Sequence, residues 1–321
     1  MESKVNFKLM SMAGQGGSVF GISLIEMMNQ RHDLMVLSSD MSTPAGLDKF
    51  KAAFPHHFMN MGIAEQNMIG TAAGLAEEGY KPICVAQACF ITMRGFEQVR
   101  QYCGYMQIPM VIIGIGSGVS LQYMGNTHYA IEDLAIMRTI PGMEVIAPCD
   151  SYEAVNAFEY AVNSKHPVYI RFFGGTAIPA VFSEEREFVC GKAIKMREGD
   201  DLQIIATGSM VGNAMKVADE LSAEGIEASV VDMHTLKPLD ADAIDYDKKL
   251  IVTLEEHSII GGLGSAVAEV LSQQTTHPKL VKIGVNDCYV PVGSYKYLLQ
   301  QCGIDAESVK ARLLNELYEN E

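Results

Sequence analysis

The chain has no tryptophan, and none of its seven cysteines (Cys84, Cys89, Cys103, Cys149, Cys190, Cys288, Cys302) forms a Cys-x-x-Cys pair. An odd, scattered set argues against both a disulfide framework and a zinc site. Most of these cysteines lie in apolar runs, where a reduced thiol serves as a small buried hydrophobe. Basic runs are also missing: 24 Lys and Arg stand against 39 Asp and Glu, a net charge of -15. Nothing here grips a phosphate backbone, so nucleic acid is not an expected partner. No uninterrupted apolar stretch reaches the ~18 residues a membrane helix needs. The start, Met1-Glu2-Ser3-Lys4-Val5-Asn6, lacks the charged-then-apolar pattern of a signal peptide. A cytoplasmic protein that binds no membrane and holds no metal of its own is expected. Internal repeats and low-complexity segments are absent too.

What is present is alternation. Short β-rich runs (Leu34–Ser38, Ile83–Ala86, Met110–Ile115, Glu144–Ala147, Val168–Phe172) are separated by helical patterns around Val19–Asn29, Ala64–Glu77, Gly95–Tyr105 and Tyr152–Asn163. Gly174, Gly175 and Pro179 punctuate a boundary, followed by the polar stretch Ser183–Phe188. The alternation then restarts with Leu202–Ala206, Gly212–Ala223, Glu227–Val231, Leu250–Leu254, Ser265–Ser272, Leu280–Gly284 and an amphipathic tail, Ala306–Glu319. At 321 residues the expectation is an α/β protein with mainly parallel sheets in two domains, 1–185 and 186–321.

One carboxylate stands out. Glu65, in Gly62-Ile63-Ala64-Glu65-Gln66-Asn67, opens a helix whose same face carries Ile69, Ala72, Ala73 and Ala76. A buried charge needs a partner: either a structural one, such as a neighbouring Arg or a backbone amide, or a ligand nitrogen. Gly125-Asn126-Thr127-His128 marks a turn before a helix, with Glu132 and Asp133 in its first turn. A histidine there is either solvated or moves a proton on a bound oxygen. Arg171, at the carboxyl end of an apolar strand, suits a phosphate, sulfate or carboxylate, or else a surface salt bridge. Met12–Ser18 reads as a flexible helix entry rather than a nucleotide loop. Glu255-Glu256-His257 with Gly261, Gly262 and Gly264 reads as a packing or subunit-contact element, since no second metal ligand lies at the right spacing.

In order, Asp40 to Phe58, Gly62 to Gln66, Gly95-Phe96-Glu97-Gln98-Val99-Arg100, Asn126-Thr127-His128 with Glu132-Asp133-Leu134, Arg138-Thr139-Ile140-Pro141-Gly142-Met143, and Glu255-Glu256-His257 with Gly261-Gly262 resemble the carboxyl-terminal half of a transketolase. The resemblance implies a thiamine-diphosphate pyrimidine-binding domain followed by the transketolase C-terminal domain. It implies that Glu65 bonds the ring nitrogen of the cofactor's aminopyrimidine and favours the tautomer that deprotonates the thiazolium. Phe90 matches an aromatic packed on that ring, in a pocket that would include Ile63. His128 matches a histidine on substrate oxygens, and Arg171 an arginine on the substrate's terminal phosphate. The magnesium–diphosphate motif, Gly-Asp-Gly followed at a distance by Asn, is absent, since Gly199-Asp200-Asp201 lacks the second glycine. The chain therefore resembles one subunit of a split transketolase. A separate N-terminal chain would hold Mg2+ and the diphosphate, in an α2β2 assembly.

Departures from the family pattern fall on the substrate side. Gln122-Tyr123-Met124 replaces Gly-Glu-Asp, so Met124 stands where an acid would meet a sugar hydroxyl. Gly116 stands where a second substrate histidine is common, Tyr129 replaces a glutamine, and Gln87 and Met93 replace pocket aromatics. The resemblance thus implies two-carbon ketol transfer from a ketose phosphate, or from a deoxy, branched or sulfonated ketose, to an aldose. The other readings are a 2-oxoacid dehydrogenase β subunit, half of a deoxyxylulose-phosphate synthase, and a non-enzymatic regulatory subunit that kept the fold.

Overall fold

The computed structural model describes residues 19–174 and 178–318, so the Met12–Ser18 segment lies outside the described residues. The first sheet has seven strands in the order β10-β5-β6-β4-β3-β1-β2. These are β1 (Leu34–Ser38), β2 (Phe58–Asn60), β3 (Lys81–Gln87), β4 (Val111–Ile115), β5 (Glu144–Ile146), β6 (Val168–Phe172) and β10 (Thr235–Lys237). All neighbours pair in parallel except β10, which runs against β5. The second sheet has five strands in the order β12-β11-β8-β9-β7. They are β7 (Ile194–Arg197), β8 (Leu202–Ala206), β9 (Ala228–Asp232), β11 (Leu250–Ser258) and β12 (Lys279–Val285), with only β7 antiparallel to its neighbour.

Every position of β1, β3, β4 and β6 is buried, as befits parallel strands covered on both faces. Alternate residues feed opposite layers. Leu37, Cys84, Ala86 and Ile112 pack with Met68, Ile69, Ala72 and Ala73 of the helix Glu65–Glu77. Val36, Ile83, Val85, Val111 and Ile113 pack with Phe20, Leu24, Ala157 and Phe158 of the helices Phe20–Met28 and Ser151–Asn163. Asp150 caps the latter helix by accepting from the Glu153 amide.

The structure corrects several boundaries. β11 runs on to Ser258, so Glu255-Glu256-His257 lie within the strand and not after it. The expected Gly95–Tyr105 helix is a short helix, Phe96–Val99, followed by a π-helical turn, Arg100–Tyr105. Strands β2, β7 and β10 and the helix Tyr295–Cys302 are additional elements. Cys288 is exposed, unlike the four fully buried cysteines Cys84, Cys89, Cys103 and Cys149. The last strand of the first run, β6, ends at Phe172 and the next, β7, begins at Ile194, yet β10 crosses back to edge the first sheet.

The carboxyl ends of β2 and β3 lead into the helices carrying Glu65 and Phe90, the long loop after β4 carries His128, and Arg171 is the penultimate residue of β6. An open parallel sheet gathers ligand-binding residues at this end.

Candidate active site

Glu65 opens its helix and is only 2% exposed. Its Oε2 accepts from Nη1 of Arg94 at 2.8 Å. The Arg94 guanidinium lies 4.3 Å from the centre of the Phe90 ring, within cation–π range. Phe90 in turn meets the imidazole of His128 edge to face, centroids 5.3 Å apart. Glu65, Arg94, Phe90 and His128 therefore form one contiguous row. A Cβ at residue 95 would lie only 2.8 Å from the Ile91 carbonyl oxygen, so Gly95 permits the sharp turn that brings the Phe90–Arg94 segment beneath Glu65.

His128 sits in a turn in which the amides of His128 and Tyr129 both donate to the Gly125 carbonyl. Its Nδ1 is 2.8 Å from the Thr127 hydroxyl. The turn is tied to the second sheet's domain: Asn126 Nδ2 donates to the Val290 carbonyl at 2.8 Å, and the Val290 amide donates back to Asn126 Oδ1 at 3.1 Å. The buried Tyr129 hydroxyl donates to the Gln122 carbonyl and lies 3.3 Å from that of Pro291. Met124 is half exposed, in the 3-10 turn Gln122–Met124. At residue 116 the backbone has φ of +83°, and a Cβ would fall 2.7 Å from Leu121 Cδ1. A histidine does not fit there.

Ile63 (75% exposed) and Met93 present apolar surface beside Glu65, and Met93 lines a hollow of about 480 Å³ with Thr92, Phe96, Ala135, Ile136 and Thr139. Gln87 is buried at the end of β3.

Arg171 requires a correction. It is neither a surface salt bridge nor a guanidinium offered to a substrate anion. The side chain is 3% exposed, and its Nε donates to both oxygens of the fully buried Asp133 at 2.9 and 3.1 Å. Its Nη2 donates at 2.9 Å to the carbonyls of Ala130 and Glu256. Burial pulls the guanidinium's pKa down, but Asp133 more than offsets this and the net shift is upward. Asp133 thus serves Arg171 and the Tyr169 hydroxyl, and not only the dipole of its own helix.

The Glu255-Glu256-His257 run is a packing element. Glu255 accepts from the amides of Leu263 and Gly264, closing the helix Leu263–Leu271 at its start. A Cβ at residue 262 would lie 2.0 Å from Glu255 Oε2. Glu256 Oε1 accepts from the Val119 amide at 2.7 Å, and its Oε2 accepts from the hydroxyls of Ser209 and Tyr295. His257 Nε2 accepts from the Ala135 amide at 3.3 Å, and burial holds its pKa down at about 4.

Sequence reasoning missed Arg94 as the partner of Glu65 and missed the Asn126–Val290 clamp. Arg94 lies four residues beyond Phe90, on the same side of a short helix. The clamp spans 164 residues and leaves no local signal.

The chain is similar to known proteins over most of its length. The family described as transketolase, pyrimidine binding domain, matches residues 16–173, and that described as transketolase, C-terminal domain, matches residues 191–309. A protein of Methanocaldococcus jannaschii named putative transketolase C-terminal section is 40% identical, over 93% of this chain and 95% of that one. A Clostridium protein named 6-deoxy-6-sulfo-D-fructose transketolase subunit is 37% identical, over 92% of each chain. A solved structure titled split gene transketolase, inactive beta4 tetramer, superposes with a TM-score of 0.83 at 39% identity, covering 93% of this chain and 96% of that one.

The chain belongs to the transketolase family. It carries the pyrimidine-binding and C-terminal domains of that family of ketol transferases, and relatives that it matches over nearly their whole length are named as a C-terminal section and as a subunit. Membership implies dependence on thiamine diphosphate, and the residues present fit its aminopyrimidine. Arg94 engages one oxygen of Glu65, which leaves the other for a ring nitrogen, Phe90 packs on that Arg94, and Ile63 and Met93, neighbours in the chain of Glu65 and Arg94, are exposed apolar residues.

Proposed function

We propose that this chain is the pyrimidine-side subunit of a two-chain, cytoplasmic transketolase whose donor is a modified ketose: deoxy, branched or sulfonated. The observation that carries this reading is the Glu65–Arg94–Phe90–His128 row, whose His128 turn follows directly on a 3-10 turn ending in Met124, where the resemblance implies an acid. A methionine accepts no sugar hydroxyl the way a carboxylate does. The name of the Clostridium relative points to a sulfonated ketose, in line with such a donor. Residues 1–185 form the pyrimidine-binding domain and 186–321 the C-terminal domain. A separate N-terminal subunit brings the diphosphate site and its Mg2+, in an α2β2 assembly. That the solved split relative is an inactive assembly of four β chains supports the need for such a partner.

In the working complex Glu65 would hold the ring nitrogen of the aminopyrimidine through the oxygen that Arg94 leaves, accepting from that nitrogen when it carries a proton, and Ile63, Phe90, Gln87 and Met93 would supply the walls of that pocket. Thiamine diphosphate, when bound, supplies the carbon that carries the two-carbon unit between sugars. With Nδ1 occupied by Thr127, Nε2 is the nitrogen that His128 turns to a sugar oxygen. It donates or accepts there according to which way the Thr127 hydroxyl points, which is what moving a proton on that oxygen requires.

The test is reconstitution with the N-terminal subunit and assay of xylulose 5-phosphate, a deoxyketose phosphate and 6-deoxy-6-sulfofructose as donors. We expect a modified ketose to be used at least about tenfold better, with Met124→Asp shifting preference toward xylulose 5-phosphate, since a site that bonds a hydroxyl discriminates strongly on it. Efficient turnover confined to xylulose 5-phosphate in the unaltered enzyme overturns the modified-ketose assignment.

A further inference from the structure

The turn carrying His128 is not held by its own domain alone. Gly125 adopts φ of +75°, and a Cβ there would fall 3.0 Å from Val292 Cγ1, so the turn lies directly against the segment Tyr289–Val292 of the second domain. Both polar atoms of the Asn126 amide are committed to the backbone of Val290. Tyr129, 1% exposed, bridges the two ends of the loop's surroundings through the carbonyls of Gln122 and Pro291. The first-domain contacts of His128 itself are slight by comparison: one hydroxyl from the adjacent residue and an edge contact with Phe90. Met124, Tyr123, Tyr289 and Val292 are all exposed around this junction. The second domain thus supplies a rim at the His128 turn as well as the anchor beneath it.

We propose that Asn126 and Tyr129 are positioning residues for His128, through which the Tyr289–Val292 segment of the second domain sets where the imidazole stands over the substrate. This rests on the reading of His128 as a substrate-binding group. It gives the second domain a part in substrate choice. A shift of the Val290 carbonyl, or loss of a bond to it, moves the whole 125–129 turn, because the His128 and Tyr129 amides hang from the Gly125 carbonyl.

The experiment uses the reconstituted two-chain enzyme and whichever donor of the panel above it turns over fastest. Asn126→Ala, Tyr129→Phe and His128→Ala are measured singly, and the first two again in the His128→Ala background. Misplacing a group by an ångström costs up to about 10²-fold. We therefore expect Asn126→Ala and Tyr129→Phe each to lower kcat/KM by about tenfold, mainly through KM, and by less than about twofold once His128 is gone. Tyr129→Phe keeps the ring that fills the core, so its effect reads the hydroxyl and not packing. Independently of turnover, the His128 ring resonances in the NMR spectrum of the full chain should move in both variants while those of His257 stay in place. A cost that is the same in both backgrounds, or no cost in either, overturns the inference and leaves the role of His128 standing. A His128→Ala variant with undiminished kcat/KM removes the functional reading of His128 and this inference with it.

Discussion

At Glu65 a charged group sits where burial alone forbids one, and Arg94 stabilises it at 2.8 Å. Arg94 is itself 44% exposed, which allows the guanidinium to swing aside or to share the carboxylate with a second donor. Of the two sequence readings of Glu65, the structural arginine partner is met by Arg94, and the ligand nitrogen belongs to the proposed function. Glu65→Gln keeps shape and the contact with Arg94 but loses the negative charge. The chain should unfold at a temperature close to that of the unaltered protein, while ketol transfer by the reconstituted enzyme falls by about 10²-fold or more, the scale of a lost acid–base group. Retention of most of the rate would make Glu65 structural only. Arg171 carries the opposite lesson. Its position at a strand end suggested a ligand, but only its three-dimensional neighbour Asp133, 38 residues away, reveals its job. Arg171→Ala strands a buried carboxylate, a change that costs about 3–5 kcal/mol. Urea unfolding of the chain should show that loss, and a stability within about 1 kcal/mol of the unaltered protein would contradict the buried pairing.

Among the elements, those with strong local patterns were legible. β1, β4, β6, β8 and the helix Glu65–Glu77 lie where their apolar runs and spacing place them. The strands that escaped, β2, β7 and β10, have only three or four residues and exist because a distant partner offers an edge. The same holds for the seam between β9 and the start of the helix Ser151–Asn163. There the donor atoms of Cys149, Glu153 and Asp232 all lie within 4.8 Å of one another, fully buried. Asp232 meets no backbone amide or cationic side chain, and only the Cys149 thiol and a protonated Glu153 carboxyl are placed to donate to it. Burial pushes Asp232 up to about 7 and Glu153 well above the usual carboxylate range; the charge of Asp150 adds to the rise of Asp232, and that of Asp232, ahead of Asp150, to the rise of Glu153. Between about pH 4, where an unfolded carboxylate titrates, and pH 7, the folded chain therefore holds protons that the unfolded chain has lost. Stability from this seam is greatest at the acid end of that window and declines as pH rises, by at most about 1.4 kcal/mol per pH unit for each proton. His234 and His257, both held near 4 by burial, act in the other direction as pH falls below their unfolded value. Comparison with Asp232→Asn isolates the carboxylate. The stability of the unaltered chain relative to this variant should shrink from pH 5 to about pH 7 and level off above it, and a difference that is pH-independent between pH 5 and pH 7 would show that Asp232 titrates normally.

For the whole molecule, the two sheets are not independent bodies. β10 leaves the second domain to edge the first sheet, Glu256 accepts from the Val119 amide, and Arg171 reaches the Glu256 carbonyl. Such a frame was only half visible in the sequence, because its ties join residues more than 80 positions apart. What the frame presents is one side of a site. The row from Glu65 to His128 stands at the carboxyl ends of the strands, next to exposed apolar residues Ile63 and Met93. Among the described residues, one cluster of potential metal-ligating side chains occurs, Cys149 with Glu153 and Asp232, and it is sealed within the seam, away from that row. A Mg2+ ion bridging a diphosphate needs exposed oxygen ligands close to the bound phosphates, and this cluster offers none. The isolated chain should therefore bind thiamine diphosphate weakly, with an affinity that added Mg2+ changes by less than about threefold. Adding the N-terminal subunit should restore tight binding that is lost on chelation of the metal, since only the assembled site then holds both ends of the cofactor. Titration calorimetry on the single chain and on the reconstituted complex measures both. Tight, Mg2+-dependent binding by the single chain would mean that this subunit carries a diphosphate site of its own, and the division of labour proposed between the two chains would have to be abandoned.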